Sequence, residues 1–365
     1  MAGNALQNSS KHEVEGRDYR FVALWAAGII VLYTVTGYFT VRQLHSYKVQ
    51  TARFRQDWLK ASVAGQDANV SDFVLPAEAK PVDVHVGIYI YHIGEFSIKD
   101  NRWSADFDIW FRWTGGAVHP GENFEVVDGQ IELREKRESY SKAGEQYERY
   151  HVRARIIKYF DASRFPFGDE GLAIQIEDGK DDARQLRYVA DEQDIGIDPQ
   201  AIRAFLKITQ SGVWIKLHNY AAIHKVHSRF IQALLVLPPG IDFYVKMFQA
   251  LFASLAVAFI VLFIKPIHVD PRFGLGVGAF FAVIGNSIYV QSFLPVSDRV
   301  SLADMVSGIG LTTIFITLVQ SAVSLYVFDT QGKEELSSFF DKVSFVALLL
   351  GYVILNALLP LAARP

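Results

Sequence analysis

The sequence predicts a membrane protein, with an extracytoplasmic antiparallel β-sandwich followed by a four-helix transmembrane bundle and one further transmembrane helix at the N-terminus. Three observations carry this. Five stretches free of Asp, Glu, Lys and Arg are long enough to cross the ~30 Å of a bilayer's hydrocarbon. Between the first and second of them, segments of period-two alternation recur, separated by Gly, Asp and Asn turns, which is the pattern of half-buried strands. The composition also changes near residue 240: most of the charge lies between residues 40 and 240, and Leu, Ile, Val, Phe and Ala dominate beyond.

The first apolar stretch is Phe21 to Val41, preceded by Lys11, Arg17 and Arg20. Its basic flank suits a cleaved signal peptide as well as a retained anchor. The lack of a small-x-small cleavage site after it favours the anchor. "VRQLHSYKVQTARFRQDWLKAS" then reads as an amphipathic stalk or packing helix. The other stretches are Met247–Ile264, Phe273–Ser297, Met305–Phe328 and Val343–Ala363. The expected organisation is a cytoplasmic tail over 1–20, an anchor over 21–41 and a helical stalk or linker over 42–80. A sensing sandwich over 81–240 and the bundle over 241–365 complete it. Lys265, Arg272, Lys333 and Lys342 flank two of the short loops, whereas "VSDRVSLAD" has one Arg299 beside Asp298 and Asp304. The positive-inside rule then puts the N-terminus in the cytoplasm and the large domain outside a cell (inner or plasma) membrane, although Arg42, Lys48, Arg53 and Arg55 on the outer side weaken the bias.

Composition narrows the function further. The net charge of −3 and the lack of a Lys/Arg block give no footprint for nucleic acid. Without cysteine there are no disulfides, thiolate metal sites or Cys nucleophiles. No phosphate loop, His-Glu-x-x-His or Gly-x-Ser-x-Gly pattern occurs, so neither an enzyme nor a cofactor is expected. The turns "EDGKDD" and "DEQDIGID" offer hard oxygen ligands but lack EF-hand spacing, and read first as solvated turns. His218, His224 and His227 cluster near the last hairpin, where they read as exposed strand residues that titrate near neutrality, or more weakly as metal ligands.

The strand-like segments "VHVGIYIYHIGEFSIKDNRWSADFDIWFRW", the turn "YFDASRFPFGDEGLAIQIED" and the junction "SFLPVSDRVSLADMVSGIGLTTIFITLVQS" occur in that order. Together they resemble the pentameric ligand-gated ion channels, the Cys-loop receptor superfamily, in their cysteine-free prokaryotic form. The likeness covers roughly Val82 to Leu361. Four features depart from the family plan: Gly168 stands between Phe-Pro-Phe and Asp169, the first bundle helix has no proline, the basic residue usual just before that helix is out of place with Arg229 well upstream, and an N-terminal span is present.

The resemblance implies that "DPRFGLGVGAFFAVIGNSIYVQSFLP" lines a pore, with Gly274, Gly278, Phe281, Gly285, Ile288 and Ser292 on one helical face. That face reads either as a hydrophobic gate near Phe281 or as a small-residue surface for tight helix packing. Asp270 would form a carboxylate ring favouring cations, unless Arg272 neutralises it or Asp270 simply caps the helix ahead of Pro271. Phe165, Pro166, Phe167 and Asp169 would couple the sandwich to the membrane helices through Pro295 and Asp298. Trp110, Tyr188, Trp214 and Tyr220 match the aromatic ligand-binding positions, where rings hold an organic cation at about 0.5–2 kcal/mol per contact; strand aromatics also serve simply as packing.

These expectations add up to a homopentameric ligand-gated ion channel-like protein, its partners other copies of itself, the lipid bilayer and an unidentified small molecule or ion. The alternative is a non-conducting membrane receptor or scaffold that keeps the channel fold.

Overall fold

The computed structural model describes residues 16–64, 79–115, 117–191, 195–201, 206–237 and 240–364, side chains of 17 and 53–64 excepted. The tail with Lys11, the side chains of Arg17, Arg53 and Arg55, and part of "DEQDIGID" lie outside the described residues. The chain forms two compact units. One holds the described residues of 46–243 and 293–299, the other those of 16–45, 244–292 and 300–364.

In the first of these, ten strands among the described residues form two sheets. They are β1 (Val82–Ser97), β2 (Arg102–Thr114), β3 (Phe124–Val126), β4 (Gly129–Lys142), β5 (Glu145–Ile157), β6 (Glu170–Asp178), β7 (Leu186–Ala190), β8 (Gly196–Ile197), β9 (Lys207–Tyr220) and β10 (Lys225–Leu237). A single helical turn, α2 (Pro120–Asn123), precedes β3. One sheet runs β4-β5-β2-β1-β7 with β8 also on β1; the other runs β3-β6-β10-β9. The expected all-antiparallel pairing is corrected in one place. β7 and β8 pair parallel to β1, in registers Val84↔Tyr188 and Ile90↔Ile197. Parallel pairing needs a crossover, and the chain between β1 and β7 supplies it by passing through both sheets.

The two sheets share one core, in which Trp103, Phe107, Phe111, Phe124, Phe160 and Phe230 are among the buried rings. Alternation read from the sequence puts Val84, Val86, Ile88 and Ile90 of β1 inside, as a half-buried strand requires. β10 is buried along nearly all its length. Its place between β6 and β9 explains this, since a central strand has neighbours on both edges.

The second unit is helical: α1 (Gly16–Ala64), α3 (Ile241–Ile260), α4 (Val269–Gln291), α5 (Leu302–Asp329) and α6 (Glu334–Ala363). All five are long and apolar enough to cross a membrane. The anchor and the start of the stalk are one unbroken helix, the stalk end of which (from residue 46) is counted with the sheets. α5 begins at "SLAD" with a capping box: Ser301 Oγ accepts from the Asp304 N–H at 3.2 Å and Asp304 Oδ2 accepts from the Ser301 N–H at 2.9 Å.

α1 is packed into its unit at three levels. Asp18 accepts two hydrogen bonds from Lys333 Nζ at 2.8 Å. Trp25 and Phe21 lie against Phe340 at 5.5 and 5.6 Å between ring centroids. Tyr33 pairs its hydroxyl with Thr313 Oγ1 at 2.7 Å, and its ring fills the space a Cβ on Gly351 would need.

Two substitutions test this packing. Gly87→Ala drives a Cβ into the Trp110 indole and is expected to cost about 1–3 kcal/mol, read as a lowered denaturation midpoint of the sheet unit. Gly351→Val displaces Tyr33 in the same way, and the thermal melt of the whole detergent-solubilised protein should fall; Tyr33→Ala in the same background should restore part of the loss.

Candidate functional site

α4 has two unlike faces. Arg272, Gly276, Ala279, Val283, Asn286 and Val290 are buried within the unit. Asn286 Nδ2 donates to the Met247 carbonyl of α3 at 3.0 Å, and a Cβ on Gly276 would meet Leu318 of α5. The opposite face carries Gly274, Gly278, Phe281, Gly285, Ile288 and Ser292, all exposed in the single chain, Phe281 at 65% and Ile288 at 67%. Cβ atoms built on Gly274, Gly278 and Gly285 would meet nothing within 4 Å. Within one chain, therefore, Gly276 is a packing glycine, and the glycines of the expected pore face are not.

Asp270 is exposed in the first turn of α4, four residues before Gly274 on that face. It is not the helix cap, because His268 holds that position; the carboxylate nevertheless lies at the positive end of the helix dipole. Arg272 does not reach toward it. Its side chain is fully buried, with Nη1 donating to the Ile264 carbonyl at 3.0 Å and to Asp341 Oδ2 at 3.1 Å, and Nη2 donating to Asp341 Oδ1 at 2.8 Å. Gln320 of α5 also donates to Asp341, at 2.5 Å. This bidentate pair ties α4 to α6 and, through Gln320, to α5. Nothing in the spacing of the sequence marks Asp341 as its acceptor.

The turn 159–170 sits beside the loop 293–299 in the sheet unit. Asp161 caps a single 3₁₀ turn, accepting from the Ser163 N–H at 3.1 Å. The Phe165–Pro166 peptide is cis. Asp169 turns back across Gly168 to form a buried 3.0 Å ion pair with Arg164. Phe165 packs edge-on against Phe243 at 5.5 Å, and Phe243 against Phe293 at 5.7 Å. Three rings therefore run from the turn, through the first residues of α3, to the segment after α4. Phe167 is buried, and Leu294 packs against the sandwich core. Asp169, Pro295 and Asp298 line one cavity, so residues expected to couple are brought together. Phe243 and Phe293 were missed; the aromatic residues flanking the ends of the apolar stretches were the available signal.

The four aromatic positions do not converge in the same way. Trp110 is 7% exposed, packs on Gly87 and donates from Nε1 to Asp191 Oδ2 at 3.3 Å. Tyr188 is buried in the core of the same sheet; burial holds its hydroxyl well above its ordinary pKa of 10.0, and Asp178 and Glu177 raise it further. Trp214 and Tyr220 are on β9, the edge of the other sheet. Tyr220 donates to Glu177 Oε2 at 2.8 Å within a network in which Arg229 bonds Glu177 at 2.6 Å. Burial also raises the Tyr220 hydroxyl, with the Glu177 hydrogen bond second. Its ring meets His218 at 4.6 Å and His227 at 5.6 Å. The expectation of exposed histidines is corrected for His227, which is 6% exposed; His224 occupies a left-handed turn position at φ 52°. Among the described residues no group of three or more His, Asp or Glu is arranged to hold a metal.

Glu170, immediately after the turn, is buried and accepts from Lys158 Nζ at 2.9 Å. Burial raises its carboxyl above the ordinary 4.5, Lys158 opposes the rise, and Asp161 and Asp169 add to it. A raised carboxyl favours the folded state below its unfolded pKa, and that contribution is lost as pH rises through the folded value. The midpoint of unfolding of the native protein should therefore fall relative to Glu170→Gln as pH is raised from about 4.5 toward neutrality. A constant difference across that range would contradict the assignment. Arg272→Met should cost about 3–5 kcal/mol, because it strands Asp341 in the bundle, and Arg272→Met/Asp341→Leu should cost less than the single change.

No family model matches the chain, and no curated protein matches its sequence.

Proposed function

We propose that the chain is the subunit of a homopentameric ligand-gated ion channel, with the sheet unit outside the membrane and α4 lining the pore. The observation that supports this best is the two-faced α4. Its buried face is committed to α3, α5 and α6, while Asp270 and the six expected pore residues lie on the free face. Five such faces around an axis would form a narrow, largely apolar lining, with Phe281 as the constriction that dewets when closed and a ring of Asp270 carboxylates at the mouth. Arg272 is held by Asp341, so the ring keeps its charge and the pore selects cations. A ligand bound to the sheet unit would act through the Phe165–Phe243–Phe293 contacts, shifting an equilibrium between closed and open arrangements.

Two measurements test the reading. Native mass spectrometry of the solubilised protein should show five chains; a stable dimer or tetramer would sink the pentamer. In liposomes, Phe281→Ala should raise ion leak and Asp270→Asn should reduce the preference for cations over anions. Unchanged leak from folded Phe281→Ala protein would favour a non-conducting receptor.

A further inference from the structure

The helical unit carries a knot of polar side chains that its ion pair does not use up. Arg272 of α4, Gln320, Ser321 and Ser324 of α5, and Ser337 and Ser344 of α6 are fully buried, and Asp341 nearly so. All lie on helices long and apolar enough to cross a membrane, where lipid offers no hydrogen bonds in exchange. Ser324 and Ser337 satisfy each other: their hydroxyls pair at 2.8 Å, and Ser337 Oγ donates to the Ser324 carbonyl at 3.0 Å.

Other atoms of the knot are left over. Arg272 Nε, Gln320 Oε1, Ser321 Oγ and Ser344 Oγ have no hydrogen-bond partner among the described residues. Asp341 ties their positions together. Arg272 Nη2 and Gln320 Nε2 donate to the same oxygen, Asp341 Oδ1, at 2.8 and 2.5 Å. Nε belongs to the same planar guanidinium and Oε1 to the same amide, so both lie at the rim of one junction. Turning the Gln320 amide over does not help, because Oε1 would then face the carboxylate. Ser344 lies one turn along α6 from Asp341, and Ser321 follows Gln320 on α5.

The chemistry of these atoms selects a ligand. An Nε–H only donates, an amide oxygen only accepts, and a hydroxyl does both. The bridging species must therefore accept from Arg272 and donate to Gln320. An anion would be repelled by Asp341 and a metal cation by Arg272, and no group of His, Asp or Glu among the described residues is arranged to hold a metal. Water meets every requirement, and buried water typically makes about three hydrogen bonds to groups that lack other partners.

We propose that the α4–α5–α6 junction binds a small internal water cluster that bridges Arg272 Nε and Gln320 Oε1, with Ser321 and Ser344 completing its shell. The joint between α4 and α5 is then made partly through water. This site lies within one chain and rests on neither a pore nor a pentamer.

Cryo-electron microscopy of the full-length protein in lipid nanodiscs, at a resolution that shows ordered water, should find density within hydrogen-bond reach of both Arg272 Nε and Gln320 Oε1. Thermal melts read the site independently. Removing a hydroxyl that holds a water destabilises the fold, whereas removing an unpartnered hydroxyl from a dry core stabilises it. Ser321→Ala and Ser344→Ala should therefore each lower the melting temperature, by about 2–4 °C. A map with no density between the two groups, or a melting temperature unchanged or raised in either serine variant, would overturn the assignment.

Discussion

The Arg272–Asp341 ion pair sets the rotation of α4 about its own axis. A guanidinium inside an apolar bundle is tolerated only when its donors are met by well-placed acceptors; here a bidentate carboxylate and the Ile264 carbonyl meet Nη1 and Nη2. Once Arg272 points toward α6, the 3.6-residue period fixes where every other side chain of α4 lies. Gly276, Ala279, Val283 and Asn286 must then face the bundle. Asp270, Gly274, Gly278, Phe281, Gly285 and Ile288 must face away from it.

A second constraint acts on the turn 159–170. Asp161 caps it, Arg164 and Asp169 close it with a buried pair, and Lys158 holds Glu170 at the start of β6. Each of these charges is buried or half-buried, so losing a partner strands the other in a low-dielectric setting. The turn is therefore a stiff body. Phe165 extends this stiffness to Phe243 and Phe293 through edge-on ring contacts. Gly168, a departure from the expected motif, stands between Phe167 and the Asp169 that pairs with Arg164.

α1 adds a feature beyond the four-helix plan. Its contacts with α5, α6 and the residue before α6 combine an ion pair from Asp18 to Lys333, tilted rings at Phe340 and a ring seated on Gly351. Small residues that let a neighbour approach closely are a common basis of helix association in lipid, where no hydrophobic force separates helix from solvent. The same helix runs on to Gln50 and Thr51, which wall the large cavity of the sheet unit.

The sequence by itself determined the apolar helices, because bilayer thickness demands uninterrupted apolar length and nothing else in the chain mimics it. It determined most strands, because period-two alternation in β1 and β2 reports which face is buried; for α4 periodicity grouped the residues of each face, and the Arg272–Asp341 pair decided which face is buried. What only the tertiary structure decided are the partners across long separations. Asp341 for Arg272, the parallel pairing of β7 and β8 with β1, the burial of Tyr188 and His227, and the meeting of Asp169 with Pro295 and Asp298 all join residues far apart in the chain. Local pattern records which way a side chain points along its own element; it does not record what another element, folded back from scores of residues away, places opposite it.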